Sequence, residues 1–94
     1  MPIVLNELAI SQEISNRIDR LRARYADNPL VKRIDHRIGV DWSDDPAVFV
    51  DVILASKEIA EAEVLQLAES IRVDLLYVAR TDEIGLHSYV HYVN

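Results

Sequence analysis

The side chains best suited to metal or proton chemistry are three histidines, His36, His87 and His91. His87 and His91 are four apart. On a helix that spacing shares one metal ion; on a strand it leaves the two on the same face, about 13 Å apart. Strand pairing could bring His36 to one of them, and with Asp35 or Asp51 a Zn²⁺ site is conceivable, so His36, His87 and His91 are the candidate metal ligands. The plainer reading is three ordinary strand histidines. Asp41, Asp44 and Asp45 form a second cluster whose oxygens would suit Mg²⁺ or Ca²⁺. The glycine and terminal glutamate of an EF-hand loop are missing, and turn-forming aspartates account for the cluster more simply. No serine lies in a Gly-x-Ser-x-Gly elbow and there is no Gly-rich phosphate loop. The chain is therefore expected to be non-enzymatic, with no catalytic residue and no cofactor.

Trp42 stands beside the aspartates. A tryptophan at a loop edge is either a lid over a core or an anchor in an interface. Arg37, Phe49, Asp51 and Ile53 join it as candidate partner-contact residues, because the pattern of their strands turns them away from the core.

Those strands read as a hairpin. From residue 31 to 42 the pattern has period two: Ile34, His36, Ile38, Val40 and Trp42 point one way, and Arg33, Asp35, Arg37 and Asp41 the other. Ser43-Asp44-Asp45-Pro46 supplies turn chemistry. Residues 47 to 55 return, with Val48, Val50, Val52 and Leu54 inward and Phe49, Asp51 and Ile53 outward. Matching the apolar faces opposes 38 with 50, 36 with 52 and 34 with 54, which sets Arg37 opposite Asp51. A slip of two residues would keep the faces and break that pair.

Helices flank the hairpin. Ile14, Ile18, Leu21 and Tyr25, extended upstream by Ile10, form an apolar stripe, so a helix is expected over about 7 to 26. Asn6 is its expected cap, and Asp27-Asn28-Pro29 its stop. A second helix is expected from Ser56 to about Val78, with Val64, Leu67, Ile71 and Leu75 on its stripe and Glu58, Glu61 and Glu63 at its positive end. A last strand, about 86 to 93, alternates Leu86, Ser88, Val90 and Tyr92 with His87, Tyr89, His91 and Val93, and the pattern leaves its inward face open.

The expected fold is one α+β domain over residues 1–94: a two-layer sandwich in the order helix–strand–strand–helix–strand, with a three-stranded mixed sheet of order 2-1-3 and both helices on one face. The second strand would be an edge, with Phe49 and Ile53 on an uncovered face.

Charge and composition narrow the partners. The net charge of −6 argues against general nucleic-acid or anionic-membrane binding. Residues 17 to 37 carry a net +4 and residues 38 to 94 a net −8, which suits charge-complementary association with a second copy or another protein. There is no cysteine, no apolar run of spanning length and no signal-like start, so a cytoplasmic location is expected.

The stretch Arg37-Ile38-Gly39-Val40-Asp41-Trp42-Ser43-Asp44-Asp45-Pro46-Ala47-Val48-Phe49 resembles a motif of a small uncharacterised bacterial family, Gly-x-Asp-Trp-Ser/Thr-Gly-Asp-Pro-Ala followed by apolar residues. Asp44 stands where the pattern has glycine, which argues against a tighter turn. The resemblance implies an accessory or antitoxin-like role, since such proteins are encoded beside HEPN-type or nucleotidyltransferase-type genes in toxin–antitoxin-like loci. The order of elements is also similar to the cytoplasmic domain of cation diffusion facilitators, which implies dimerisation more than transport. The function expected is a protein-interaction domain, homodimeric or bound to a protein encoded nearby; the alternative is a dimeric domain that senses a metal or small ligand.

Overall fold

A computed structural model describes residues 2–94, with side chains for residues 10–81 and 83–94. Helix α1 runs Pro2–Tyr25, strand β1 Val31–Val40, strand β2 Pro46–Leu54, helix α2 Glu61–Asp74 and strand β3 His87–Val93. A π-helical turn, Leu75–Ala79, extends α2, and a 3₁₀ turn, Thr81–Ile84, leads towards β3. The α+β class, the element order and the mixed three-stranded sheet are those the sequence implies. Ile14, Ile18 and Leu21 of α1, Leu67 and Ile71 of α2, and Val48, Val50 and Val52 of β2 form one core with Ile34 of β1. Val90 and Tyr92 pack against it, which makes Ser88, Val90 and Tyr92 the inward face of β3.

The strand order is β1-β2-β3, not the expected 2-1-3. β3 is parallel to β2, as expected, but lies beside β2 rather than beside β1. The composition explains this. Strand β2 is almost continuously apolar, Ala47 to Leu54 broken only by Asp51, and suits a position between two neighbours. Strand β1 carries Lys32, Arg33, Asp35 and Arg37, charges that belong on an edge.

The hairpin register is also slipped by two residues from the expected one. Ile38 opposes Val48, His36 opposes Val50 and Ile34 opposes Val52. Both faces survive, but Arg37 meets Phe49 instead of Asp51, and Asp51 meets Asp35. The turn sets this register. The Asp41 backbone N–H bonds the Asp45 carbonyl at 2.9 Å, and the Asp41 carboxylate takes the N–H groups of Ser43 and Asp45 at 2.8 and 3.1 Å. The five residues Asp41–Asp45 thus close the loop, with Asp44 in the left-handed region at φ 61°. Beyond the helix cover, Ile38 and Val40 are exposed, although their alternation marks them as core.

The helices also depart from their expected bounds. Helix α1 begins at Pro2, a favoured first helical residue, so Asn6 lies inside it; the Asn6 side chain is outside the described residues. Its end at Tyr25 follows the expected stop, where Asn28 accepts the Leu30 N–H at 2.9 Å. Helix α2 begins at Glu61 rather than Ser56, because the Ser56 hydroxyl accepts the Glu58 N–H at 3.1 Å and holds a local turn. At the other end the Arg80 N–H reaches back to the Leu75 carbonyl at 2.8 Å, and the wider π turn keeps Leu75 and Ala79 both on the core side. Arg17 of α1 closes this end: its guanidinium donates to the Ala79 and Arg80 carbonyls at 3.0 and 2.7 Å and pairs with Glu13 and Glu83. Glu83 is the first cause holding the Arg17 guanidinium above its ordinary range.

Candidate functional site

Both helices share the core with one face of the sheet, and among the described residues no helix covers the other face. Its central row is Arg37, Phe49 and Tyr89, set side by side by the two registers. The Arg37 guanidinium lies 4.5 Å from the Phe49 ring centroid. The Phe49 and Tyr89 rings stack at 5.6 Å with 23° between planes, and Trp42 tilts against Tyr89 at 5.2 Å. The result is an unbroken series of cation, phenyl, phenol and indole across three strands and the hairpin tip. Trp42 ends it at 83 % exposure, so it is not a core lid.

Tyr89 is fixed from below by the turn. Its hydroxyl donates to the Asp41 carboxylate at 2.7 Å. That bond is the main cause lowering the Asp41 pKa and raising that of Tyr89. Asp41 thus does two jobs: one oxygen closes the hairpin loop, the other orients the ring at the centre of the face. The next row is Asp35, Asp51 and His91, and the one after it Arg33, Ile53 and Val93. Asp35 bonds Arg33 at 3.0 Å, which relieves its position opposite Asp51. Arg37, Trp42, Phe49, Asp51, Tyr89 and His91 line a shallow groove of about 370 Å³.

The candidate contact residues Arg37, Trp42, Phe49, Asp51 and Ile53 are therefore gathered on one face, the first four around one groove and Ile53 two rungs away. Tyr89 is not among the residues the sequence singles out, and Asp41 enters there only as one of the turn aspartates. Their signal was a tyrosine in an alternating strand and an aspartate at a turn, and neither is informative until β3 is known to lie beside β2.

The candidate metal ligands are not brought together. His36 faces α1, while His87 and His91 are on the uncovered face. Arg22 approaches His36 Nδ1 at 3.1 Å and can only donate, so Nδ1 is the unprotonated nitrogen and Nε2 carries the proton towards Ser15 Oγ, 3.5 Å away. A serine beside a histidine resembles a nucleophile–base pair. Here the far nitrogen meets a cation where a catalytic histidine would meet a carboxylate. Burial, and then Arg22, lower the His36 pKa. Arg22 also bonds the Ile34 carbonyl at 2.6 Å and Asp19 at 2.7 Å, so the cluster ties α1 to β1.

At the hairpin tip Asp41, Asp45 and His87 hold ligand-type atoms within 4.8 Å of one another. His87 Nε2 is 3.9 Å from Asp45 Oδ2. The Asp41 oxygens are engaged by the loop and by Tyr89, so the group is accounted for as the wiring of the turn.

Comparison of the chain with protein-family models, with curated proteins and with solved structures returns no match. Among the described residues no helix is long and apolar enough to cross a membrane.

Proposed function

We propose that this chain is a non-enzymatic protein-interaction domain whose contact surface is the uncovered face of its sheet. One observation carries the reading: the ordered series Arg37–Phe49–Tyr89–Trp42, ending in an indole at 83 % exposure. Arginine, tyrosine and tryptophan are the side chains that dominate binding energy at protein interfaces, and rings already held in place lose little entropy on contact. Asp51 and His91 beside the groove give a partner polar groups to match.

The partner favoured by the motif resemblance is the product of an adjacent gene, with this chain acting as its antitoxin-like or accessory subunit in the cytoplasm. Co-expression with that product, followed by titration of the purified pair, tests the reading. A complex should form, and Trp42→Ala and Phe49→Ala should each weaken it by about 2 kcal/mol, roughly thirtyfold, with unchanged circular dichroism. A chain that ignores its neighbour, or a complex indifferent to both substitutions, would overturn it.

A further inference from the structure

The sheet has two edges, and their chemistry differs. Edge strands of proteins that stay monomeric are guarded by charges, bulges or proline. β1 is guarded: it carries Lys32, Arg33, Asp35 and Arg37, and its pairing is irregular between Val31 and Arg33. β3 reads His-Ser-Tyr-Val-His-Tyr-Val, with no Lys, Arg, Asp, Glu, Pro or Gly, and among the described residues its far side pairs with no strand.

The helix flank beside that edge has a pattern of its own. Leu65, Glu69, Arg72 and Leu76 follow one another at i, i+4, i+7 and i+11, on one stripe of α2 and the turn after it. All four are exposed, Leu65 at 63 % and Leu76 at 45 %. Arg72 and Leu76 line a groove with Leu86, His87 and Val90, which places the stripe next to β3. The order apolar–acid–base–apolar is its own complement when the helix is turned end for end: Leu65 meets Leu76 of a second copy, and Glu69 meets Arg72. β3 is likewise its own complement about Val90, since antiparallel pairing sets Tyr89 against His91 and Ser88 against Tyr92, with no carboxylate, guanidinium or ammonium in the pairing.

We propose that two copies of this chain associate about a two-fold axis, β3 against β3, joining the two sheets into one of six strands, with the α2 stripes side by side. One axis serves both elements. A helix between parallel strands runs antiparallel to them. From Leu76, beside His87, the middle of the stripe is 5.5 residues back, about 8 Å along the helix. The same distance is about 2.5 residues along a strand, which arrives close to position 90. The midpoint of the charged pair and the midpoint of the strand thus lie level. The seam runs through the backbone edge of β3; Tyr89 and His91, which also line the aromatic groove, lie beside it, so a dimer extends that face into the second copy and does not cover it.

Sedimentation of the full chain tests the proposal. The wild type should sediment at about twice its 10.7 kDa mass. Arg72→Glu and Glu69→Arg, both at exposed positions, should each raise the dimer dissociation constant about tenfold or more, through like charges facing across the axis. Combining the two restores the complement and should return the constant to within about threefold of wild type. A wild type that stays monomeric up to about 100 μM would overturn the proposal. So would single variants without effect, or a double variant no better than either single one. A dimer lost on Phe49→Ala but retained by Arg72→Glu would also overturn it, by assigning self-association to the aromatic face. Failure of the adjacent-gene complex leaves each of these results unchanged.

Discussion

At the scale of single residues, His36 illustrates how position decides what a titratable group does. Of the three histidines it alone is wedged between a helix and the sheet, with Arg22 on one nitrogen and Ser15 near the other. Burial disfavours its charged form, so the folded pKa is below the unfolded value near 6.5. As pH falls through 6.5 the unfolded chain takes up the proton first, and stability declines from that point down through the folded pKa. Thermal unfolding followed from pH 7.5 to 5 should show this decline, and His36→Gln should flatten it; an unchanged slope in the variant would refute the assignment. Tyr25 offers a contrast. Its hydroxyl donates to Asp74 at 2.7 Å and accepts from Ser70 at 2.6 Å, and burial pushes its pKa to about 12. It stays neutral in any physiological range and joins the end of α1 to α2. The interior position of Tyr25 could be read from helical spacing. The role of Asp74 could not, because a carboxylate on the buried side of α2 is explained only by the partners that α1 brings to it, Tyr25 and Arg24.

At the scale of elements, the hairpin shows what alternation specifies and what it leaves free. Alternation fixes which side chains share a face, and the assignments of Phe49, Asp51 and Ile53 outward and Val48 to Leu54 inward follow from it. It does not fix sliding by two, which preserves every face, and the expected Arg37–Asp51 pairing rests on charge alone. The turn decides it, through the Asp41 carboxylate, and makes Arg37 a cation over a ring instead of half an ion pair. The loop carries one strained position, Asp44 at φ 61°. Asp44→Gly should relieve it and stabilise the protein by about 0.5–1 kcal/mol, a rise in Tm of a few degrees by calorimetry. A lower Tm would mean that the Asp44 side chain contributes more than its backbone strain costs. Sheet order is the other expectation that failed. Connection rules allow the last strand on either side of the hairpin, and the apolar run of β2 was the available clue to which strand is central.

At the scale of the whole molecule, two surfaces remain open for association: the aromatic face of the sheet, and the uncharged edge of β3 with the α2 stripe beside it. They meet at β3, whose Tyr89 and His91 line the groove while its backbone forms the edge. The segregation of charge seen in the sequence becomes an arrangement in space. Part of the basic band lies along β1, where it guards that edge against further strands. The strand order β1-β2-β3 decides this, because in the order 2-1-3 that guard would have stood at the centre and the apolar β2 at the rim.

The central position of β2 also sets an order of assembly. Its antiparallel neighbour is reached across the five residues Asp41–Asp45, whereas its parallel neighbour is reached across 32 residues, from Ala55 to Leu86. Closing the longer connection costs roughly 1.5 kcal/mol more in chain entropy, so the hairpin has the head start and β3 docks late. The same asymmetry predicts that in the native state β3 is released more readily than β1. Its amide protons should exchange with solvent faster than those paired between β1 and β2, and under the proposed dimerisation the difference should shrink as protein concentration rises. Exchange that begins in the hairpin would reverse the order. The strand with the loosest hold on its own chain is then the one that most needs company.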